Sequence, residues 1–183
     1  MKRSYTHHYQ YLDPEGNDTQ NSVSLSDNDL EILIKSLKTM ILSRHIDQKC
    51  IALQRTGRLG TFPASTGQEA IFSMAGHTLC DTDVYVPYYR DQAALLARGM
   101  PIDNILDYWG GDERGNIFSH KQMDMPYCIP IASQCAHATG IAWSAKYHET
   151  NSVVMVTLGD GATSKGDFYE SINFSGIHKL PIV

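Results

Sequence analysis

Cysteine is scarce in this chain and unpatterned. The four cysteines, Cys50, Cys80, Cys128 and Cys135, form no C-x-x-C step. Each lies among apolar neighbours, which favours reduced core thiols over a disulfide framework or a zinc site. The eight histidines show no H-x-x-x-H spacing, so a transition-metal motif is missing as well. Basic charge is also short. Fifteen Lys and Arg against twenty Asp and Glu leave a net charge of −5, which removes the electrostatic case for nucleic acid or an anionic membrane. No apolar run approaches the roughly 20 residues of a membrane-spanning helix. The opening MKRSYTHHYQYLDPEGND has two basic residues with no apolar region behind them, unlike a secretory leader. Asp13, Glu15 and Asp18 fit a mitochondrial presequence poorly. The expected compartment is the cytoplasm.

What is present suits one globular domain: 183 residues, 42% hydrophobic and 19% charged. Residues 1–25 are polar and read as an arm, leaving 26–183 as the domain. Ser26-Asp27-Asn28-Asp29 has the form of a capped helix start, a serine followed three residues later by an acid. Leu30, Leu33, Ile34, Leu37, Met40 and Ile41 then recur at helical spacing, running towards Gln54 and broken by Gly57 and Gly60. GQEAIFSMAGHTL predicts a second helix and DVYVP a short strand. Helices are expected over Asp91–Arg98 and from Pro101 to Trp109, with proline in the first turn. GGDERGNIFSHKQMDMP lacks any period and reads as a long loop, which in a compact domain is often functional. A helix of small residues over Gln134–His148 precedes the apolar strand SVVMVTL, of the kind covered on both faces in a parallel sheet. Asp167–His178 is a further helix, and LPIV opens another strand. Strands alternating with helices predict an α/β fold with a mostly parallel sheet flanked by helices. The last strand stops after a few residues, so the chain reads as the front part of a longer protein, truncated at its C-terminus.

The feature that demands chemistry is LGDGATSKGD at residues 158–167. In open α/β sheets ligands bind beyond the carboxyl ends of strands, where this turn falls. Glycines let backbone approach a ligand, and the amides of Gly161, Ala162 and Thr163 could serve together as anion donors before a helix. Asp160 would repel a bare phosphate unless a divalent cation lay between them. A dinucleotide fingerprint needs glycine at Ser164, and a Walker loop from Gly161 needs Lys and Ser/Thr where Asp167 and Phe168 stand. Both fail. Magnesium, held by one or two carboxylates plus phosphate oxygens and water, fits Asp160; a plain strand-to-helix turn fits the segment equally well.

Five segments, GRLGTFPASTGQEA (57–70), VPYYRDQAALLARG (86–99), YWGGDERGN (108–116), IASQCAHATGIA (131–142) and LGDGATSKGDFYESINF (158–174), occur in one order. Together they resemble the alpha chain of the thiamine diphosphate-dependent decarboxylating component of 2-oxoacid dehydrogenase complexes, over residues 27–183. The resemblance implies the thiamine diphosphate-binding fold, thiamine diphosphate and Mg2+ as cofactors, and Asp160 as a metal ligand with the amides of Gly161 and Ala162 on the diphosphate. A second metal ligand, an asparagine, is expected beyond Val183, together with a later histidine-bearing loop.

It further implies that Tyr89 and Arg90 hold the diphosphate, a role that suits a guanidinium at a strand end. Ile129 and Ile131 match positions against the aminopyrimidine, although an isoleucine in PYCIPIAS also reads as core. His137, at a helix start, reads equally as a donor near the reacting carbons or as a packing residue. Phe62 matches a substrate-lining position; relatives that carry their aromatic one place earlier have it where this chain has Thr61.

The implied activity is oxidative decarboxylation of a 2-oxoacid with acyl transfer to a lipoyl group. The implied partners are a beta subunit, in an α2β2 heterotetramer, and the lipoyl-bearing acyltransferase. The activating glutamate belongs to the beta chain, and no glutamate here stands in a comparable context, so the chain alone is expected to be inactive. GRLGTFPAS and YWGGDERGN lean towards pyruvate. The alternatives are a branched-chain 2-oxoacid enzyme, an acetoin-cleaving relative, or a truncated non-catalytic interaction fragment.

Overall fold

The computed structural model describes residues 10–19, 24–117 and 123–183. Residues 1–9 and 20–23 of the expected arm, and 118–122 of the expected loop, lie outside them. The chain divides into two compact units, Met1–Glu31 and Ile32–Val183. In the first, Leu12 and Asp18 form an antiparallel bridge. The Asp13 carboxylate closes the turn between them, accepting from the Asn17 amide at 2.7 Å. The predicted cap is present: Ser26 Oγ accepts from the Asp29 amide at 3.2 Å, and Asp29 Oδ2 accepts from the Ser26 amide at 2.9 Å. Two of the orphan N–H groups at the start of helix α1 (Asp27–Arg55) are thereby satisfied.

In the second unit, α1 does not bury the face its periodicity advertises. Leu33, Ile34, Leu37 and Ile41 are exposed, while Ser36, Ser43, Ile46, Asp47 and Cys50 are buried. The polar residues of that buried line are satisfied by α2 (Glu69–Thr78) and the segment before it: Ser36 Oγ donates to Met74 Sδ at 3.0 Å, and Thr66 Oγ1 donates to Asp47 Oδ2 at 2.8 Å. Helix α2 packs on α3 (Gln92–Ala97) through Gly76: a Cβ there would lie 2.5 Å from the Ala94 carbonyl oxygen. Helix α4 (Ile102–Gly110) follows Pro101 and ends at Gly111, whose φ of 95° is a left-handed conformation glycine takes without penalty. A 3-10 turn over Glu113–Asn116 occupies part of the expected loop.

Strands β1 (Val84–Val86) and β2 (Val154–Val156) pair in parallel, with Tyr85 opposite Met155. A parallel bridge between Val154 and Ile182 extends the sheet to the last residues. The sheet is thus parallel and flanked by helices, an α/β arrangement. β2 is shorter than SVVMVTL suggested, because Leu158 and Gly159 leave the ladder to enter a 3-10 turn over Asp160–Ser164. Helix α5 (Ser133–Tyr147) presents Ala138 and Ala142 to Val84, Val86 and Val154, small residues that let helix and sheet approach. It packs on α6 (Gly166–Ile177), where Thr139 and Ser175 hydroxyls meet at 3.2 Å.

Candidate cofactor site

Three chain segments converge at the carboxyl ends of the two strands. After β1 the chain turns through Pro87, Tyr88, Tyr89 and Arg90 into α3. After β2 it passes through Thr157 and Leu158 into the Gly159–Ala162 turn. The third segment, Ile131 to Gln134, opens α5. Between them lies a cleft of about 150 Å3. Tyr88 and Tyr89 line it from the first segment, Gly159, Asp160, Gly161 and Ala162 from the second, and Cys128, Ile131 and Gln134 from the third. An apolar hollow of about 220 Å3 lies between α5, α6 and Ile182, but no cationic side chain lines it to hold an anion.

The turns are held firmly. Ala132 adopts a left-handed conformation, φ 70°, which a residue with a Cβ takes only at a cost of about 1–2 kcal/mol. It is fully buried against Ala162 and Cys135, and that packing sustains the strain. Small side chains at 132 and 162 bring the start of α5 against the Asp160 turn. Gln134 is 2% exposed; its Nε2 donates to the Thr157 carbonyl at 3.0 Å, while its buried Oε1 has no partner. Tyr88 lies against Gly159, its ring 3.8 Å from where a Cβ there would stand. Its phenol donates to Gln68 Oε1 at 2.8 Å, and burial pushes that phenol up to about 12.

Tyr89, Ile131, Asp160, Gly161 and Ala162 therefore share one cleft. Asp160 is exposed there, and Gly161 faces open space. The Ala162 amide is engaged within the turn, donating to the Gly159 carbonyl at 3.0 Å. The other residues singled out from the sequence are outside the lining. Arg90 Nη1 donates to the Ala64 carbonyl at 2.7 Å, and its guanidinium stands 5.3 Å from the Tyr89 ring centre. Ile129 is exposed, and His137 is exposed on α5. Phe62 is buried with Ile46 and Cys50 and meets Trp109 edge-on at 6.0 Å, a core position. Tyr88, Cys128, Gln134 and Gly159 were not singled out. Gln134 was visible only as the first polar residue of a predicted helix, and Tyr88 only as the neighbour of Tyr89.

Residues 37–183 match the family described as dehydrogenase E1 component. The chain belongs to this family. It is 39% identical over 153 residues to the pyruvate dehydrogenase E1 component subunit alpha of Acholeplasma laidlawii, covering 84% of this chain and 44% of that one. To the proteins of the same name from Mycoplasma pneumoniae and Staphylococcus aureus it is 34% identical, over 93% and 95% of this chain and 48% and 47% of theirs. The chain thus spans about half the length of these curated relatives. Membership of the dehydrogenase E1 component family implies thiamine diphosphate as cofactor.

The residues present fit that group at its diphosphate end. Among the described residues no three His, Cys, Asp or Glu side chains gather to hold a metal by themselves. Asp160 offers a single exposed carboxylate beside glycine backbone, a donor set that suits magnesium only when phosphate oxygens and water complete its shell. No helix among the described residues is long and apolar enough to cross a membrane.

Proposed function

We propose that this chain is alpha-subunit sequence of a pyruvate dehydrogenase, working in the cytoplasm with a beta subunit in an α2β2 assembly. It would take part in the thiamine diphosphate-dependent oxidative decarboxylation of pyruvate and the transfer of the acyl group to a lipoyl-bearing partner. The observation that carries this reading is the cleft itself. An exposed aspartate between two glycines faces a tyrosine across the carboxyl ends of parallel strands, in a chain 34–39% identical to alpha subunits of that name.

Thiamine diphosphate, when bound, supplies the carbanion-stabilising chemistry, and the protein supplies binding and orientation. Asp160 would hold Mg2+, and Gly161, Ala162 and Tyr89 would border the diphosphate. Arg90, one residue further, would reach it by exchanging the Ala64 carbonyl for phosphate oxygens, a stronger charge-assisted bond. Ile131, which lines the cleft, would border the ring end of the cofactor, with Ile129 beside it outside the lining. Neither His137 nor Phe62, the residues given a substrate role by resemblance, lines the cleft, so no substrate contact is assigned to them.

The test is calorimetric titration of thiamine diphosphate with Mg2+ into the full-length alpha subunit carrying this chain, co-expressed with a pyruvate dehydrogenase beta subunit, together with pyruvate-dependent reduction of an artificial acceptor. Saturable binding that requires Mg2+ and collapses in Asp160→Ala is expected. Undiminished binding and turnover in Asp160→Ala would overturn the metal-ligand role.

A further inference from the structure

Asp91 follows the Tyr89-Arg90 pair and is fully buried. One oxygen does all its visible work. Oδ2 accepts from the Tyr85 phenol at 2.7 Å, from the Tyr88 amide at 3.0 Å, and from the Thr157 hydroxyl. Oδ1 is buried with no partner. Leaving a buried carboxyl oxygen unpaired is expensive, although an apolar residue here would in turn orphan three buried donors. An acid placed at that cost calls for a reason.

The location of its three donors supplies one. Tyr85 lies in β1, and the Tyr88 amide belongs to the turn that carries Tyr89 and Arg90. Thr157 is the residue from which the chain leaves β2 towards Gly159, Asp160 and Gly161. Thr157 is gripped from the other side too, its carbonyl accepting from Gln134 of α5 at 3.0 Å. A single oxygen atom therefore ties the turn after β1 to the turn after β2, and Gln134 carries the same tie to α5.

We propose that Asp91 is a positioning residue that sets the spacing between the Tyr89-Arg90 turn and the Asp160 turn through Thr157, so that the two halves of the phosphate-binding cleft are in register before a ligand arrives. The inference rests on the thiamine diphosphate reading of the cleft. Burial pushes the Asp91 carboxyl up to about 7, so below neutrality the residue makes these contacts as the neutral acid, and asparagine is its close mimic there.

The experiment measures thiamine diphosphate affinity by calorimetry, in the presence of Mg2+, for the full-length alpha subunit carrying this chain, assembled with a co-expressed beta subunit, with a thermal melt of each variant. Asp91→Ala is expected to weaken binding by about tenfold to a hundredfold in protein that is still folded at the assay temperature, because small misplacements of positioned groups are that costly. Asp91→Asn is expected to restore most of the affinity. Thr157→Val is expected to reproduce the loss, and its combination with Asp91→Ala to add little more, since both remove one link. An Asp91→Ala protein with a lowered melting point but wild-type affinity would overturn the proposal and leave a purely structural acid. If Asp91→Ala does not fold, Thr157→Val and Asp91→Asn decide by the same affinity readout: wild-type binding in Thr157→Val, or failed rescue by asparagine, overturns it. Asp160→Ala separates the two readings. Binding insensitive to Asp160 sinks the cofactor assignment, whereas binding lost with Asp160 and untouched by Asp91 or Thr157 sinks only the positioning role.

Discussion

Arg98 and Asp124 form an ion pair inside the protein, with Nε 2.6 Å from Oδ2 and both side chains almost wholly out of solvent. Each partner is also spent on backbone. Arg98 Nη2 donates to the Asp83 carbonyl at 3.0 Å, and Asp124 Oδ1 accepts from the Tyr85 amide at 3.0 Å. The pair thereby fastens the residue after α3 and the stretch beyond residue 122 to the edge of β1. Removing one member leaves the other charge buried and alone, which typically costs about 3–5 kcal/mol. Asp124→Ala and Arg98→Ala should each lower the unfolding free energy obtained from urea denaturation by that amount or abolish soluble expression. A loss under about 1 kcal/mol in either would show that the remaining charge finds solvent.

Gly76 offers a cleaner steric test. Its missing Cβ admits the α3 backbone, since an added methyl would stand 2.5 Å from the Ala94 carbonyl oxygen and 2.6 Å from Ala97 Cβ. Helix propensity alone favours alanine here by up to about 1 kcal/mol. Overpacking opposes it by about 1–3 kcal/mol, and since the clash is with backbone, it should win. Gly76→Ala is therefore expected to be less stable than wild type in a chemical denaturation series, against the sign that propensity predicts.

Most of the fold could be read from local pattern. The Ser26–Asp29 cap and the proline at the head of α4 each depend on residues close in sequence, and each apolar run marked a strand by itself, although the pairing of the two joins residues 70 apart. The face that α1 buries could not be read. Periodicity reports which side of a helix is apolar, and the second unit covers the opposite line, because Asp47, Ser43 and Ser36 find hydroxyl and sulfur partners in the segments packed against them. The length of β2 was also hidden, since the ladder ends where the backbone turns into Asp160 and not where the apolar residues run out.

The site divides in the same way. The Asp160 turn was legible because glycines, acid and helix start are contiguous. The grip on it was not, because Asp91 and Thr157 are 66 residues apart and Gln134 and Thr157 are 23 apart. Only folding brings such pairs together. Phe62 was legible as a motif residue, yet its contact with Trp109 depends on α4, which no pattern around residue 62 reveals.

Arg90 can be tested by fork geometry. Its guanidinium now satisfies a neutral carbonyl of the 57–68 segment, and a diphosphate would offer it charged acceptors instead. A hydrogen bond to a charged group contributes about 1.5–3 kcal/mol, so Arg90→Ala should weaken thiamine diphosphate binding by roughly ten- to a hundredfold. Arg90→Lys restores the charge but not the planar pair of donors, and should recover only part of the affinity. Calorimetry on the beta-subunit complex measures both, and unchanged affinity in Arg90→Ala would remove Arg90 from the diphosphate site.

The Asp91 carboxyl makes stability depend on pH in a stated direction. Its ordinary value is 3.8, and burial raises it to about 7 in the folded chain, against the opposing pull of the Thr157, Tyr85 and Tyr88 donors. Between those values the folded state keeps a proton that the unfolded state has released. The stabilisation is thus fully present below pH 3.8, is lost as pH rises towards about 7, and changes no further above it. The phenols of Tyr85, Tyr88 and Tyr127, the other titratable groups influenced by this carboxyl, are all held above their ordinary range, so they stay neutral throughout that window. Asparagine at this position cannot release a proton. Unfolding free energies of wild type and Asp91→Asn, from denaturant titrations between pH 4.5 and 8, should therefore diverge in favour of the variant as pH rises, by at most about 1.4 kcal/mol per unit, and run parallel above neutrality. Curves that stay parallel across the whole range would mean that Asp91 is ionised in the fold, and that its three donors outweigh its burial.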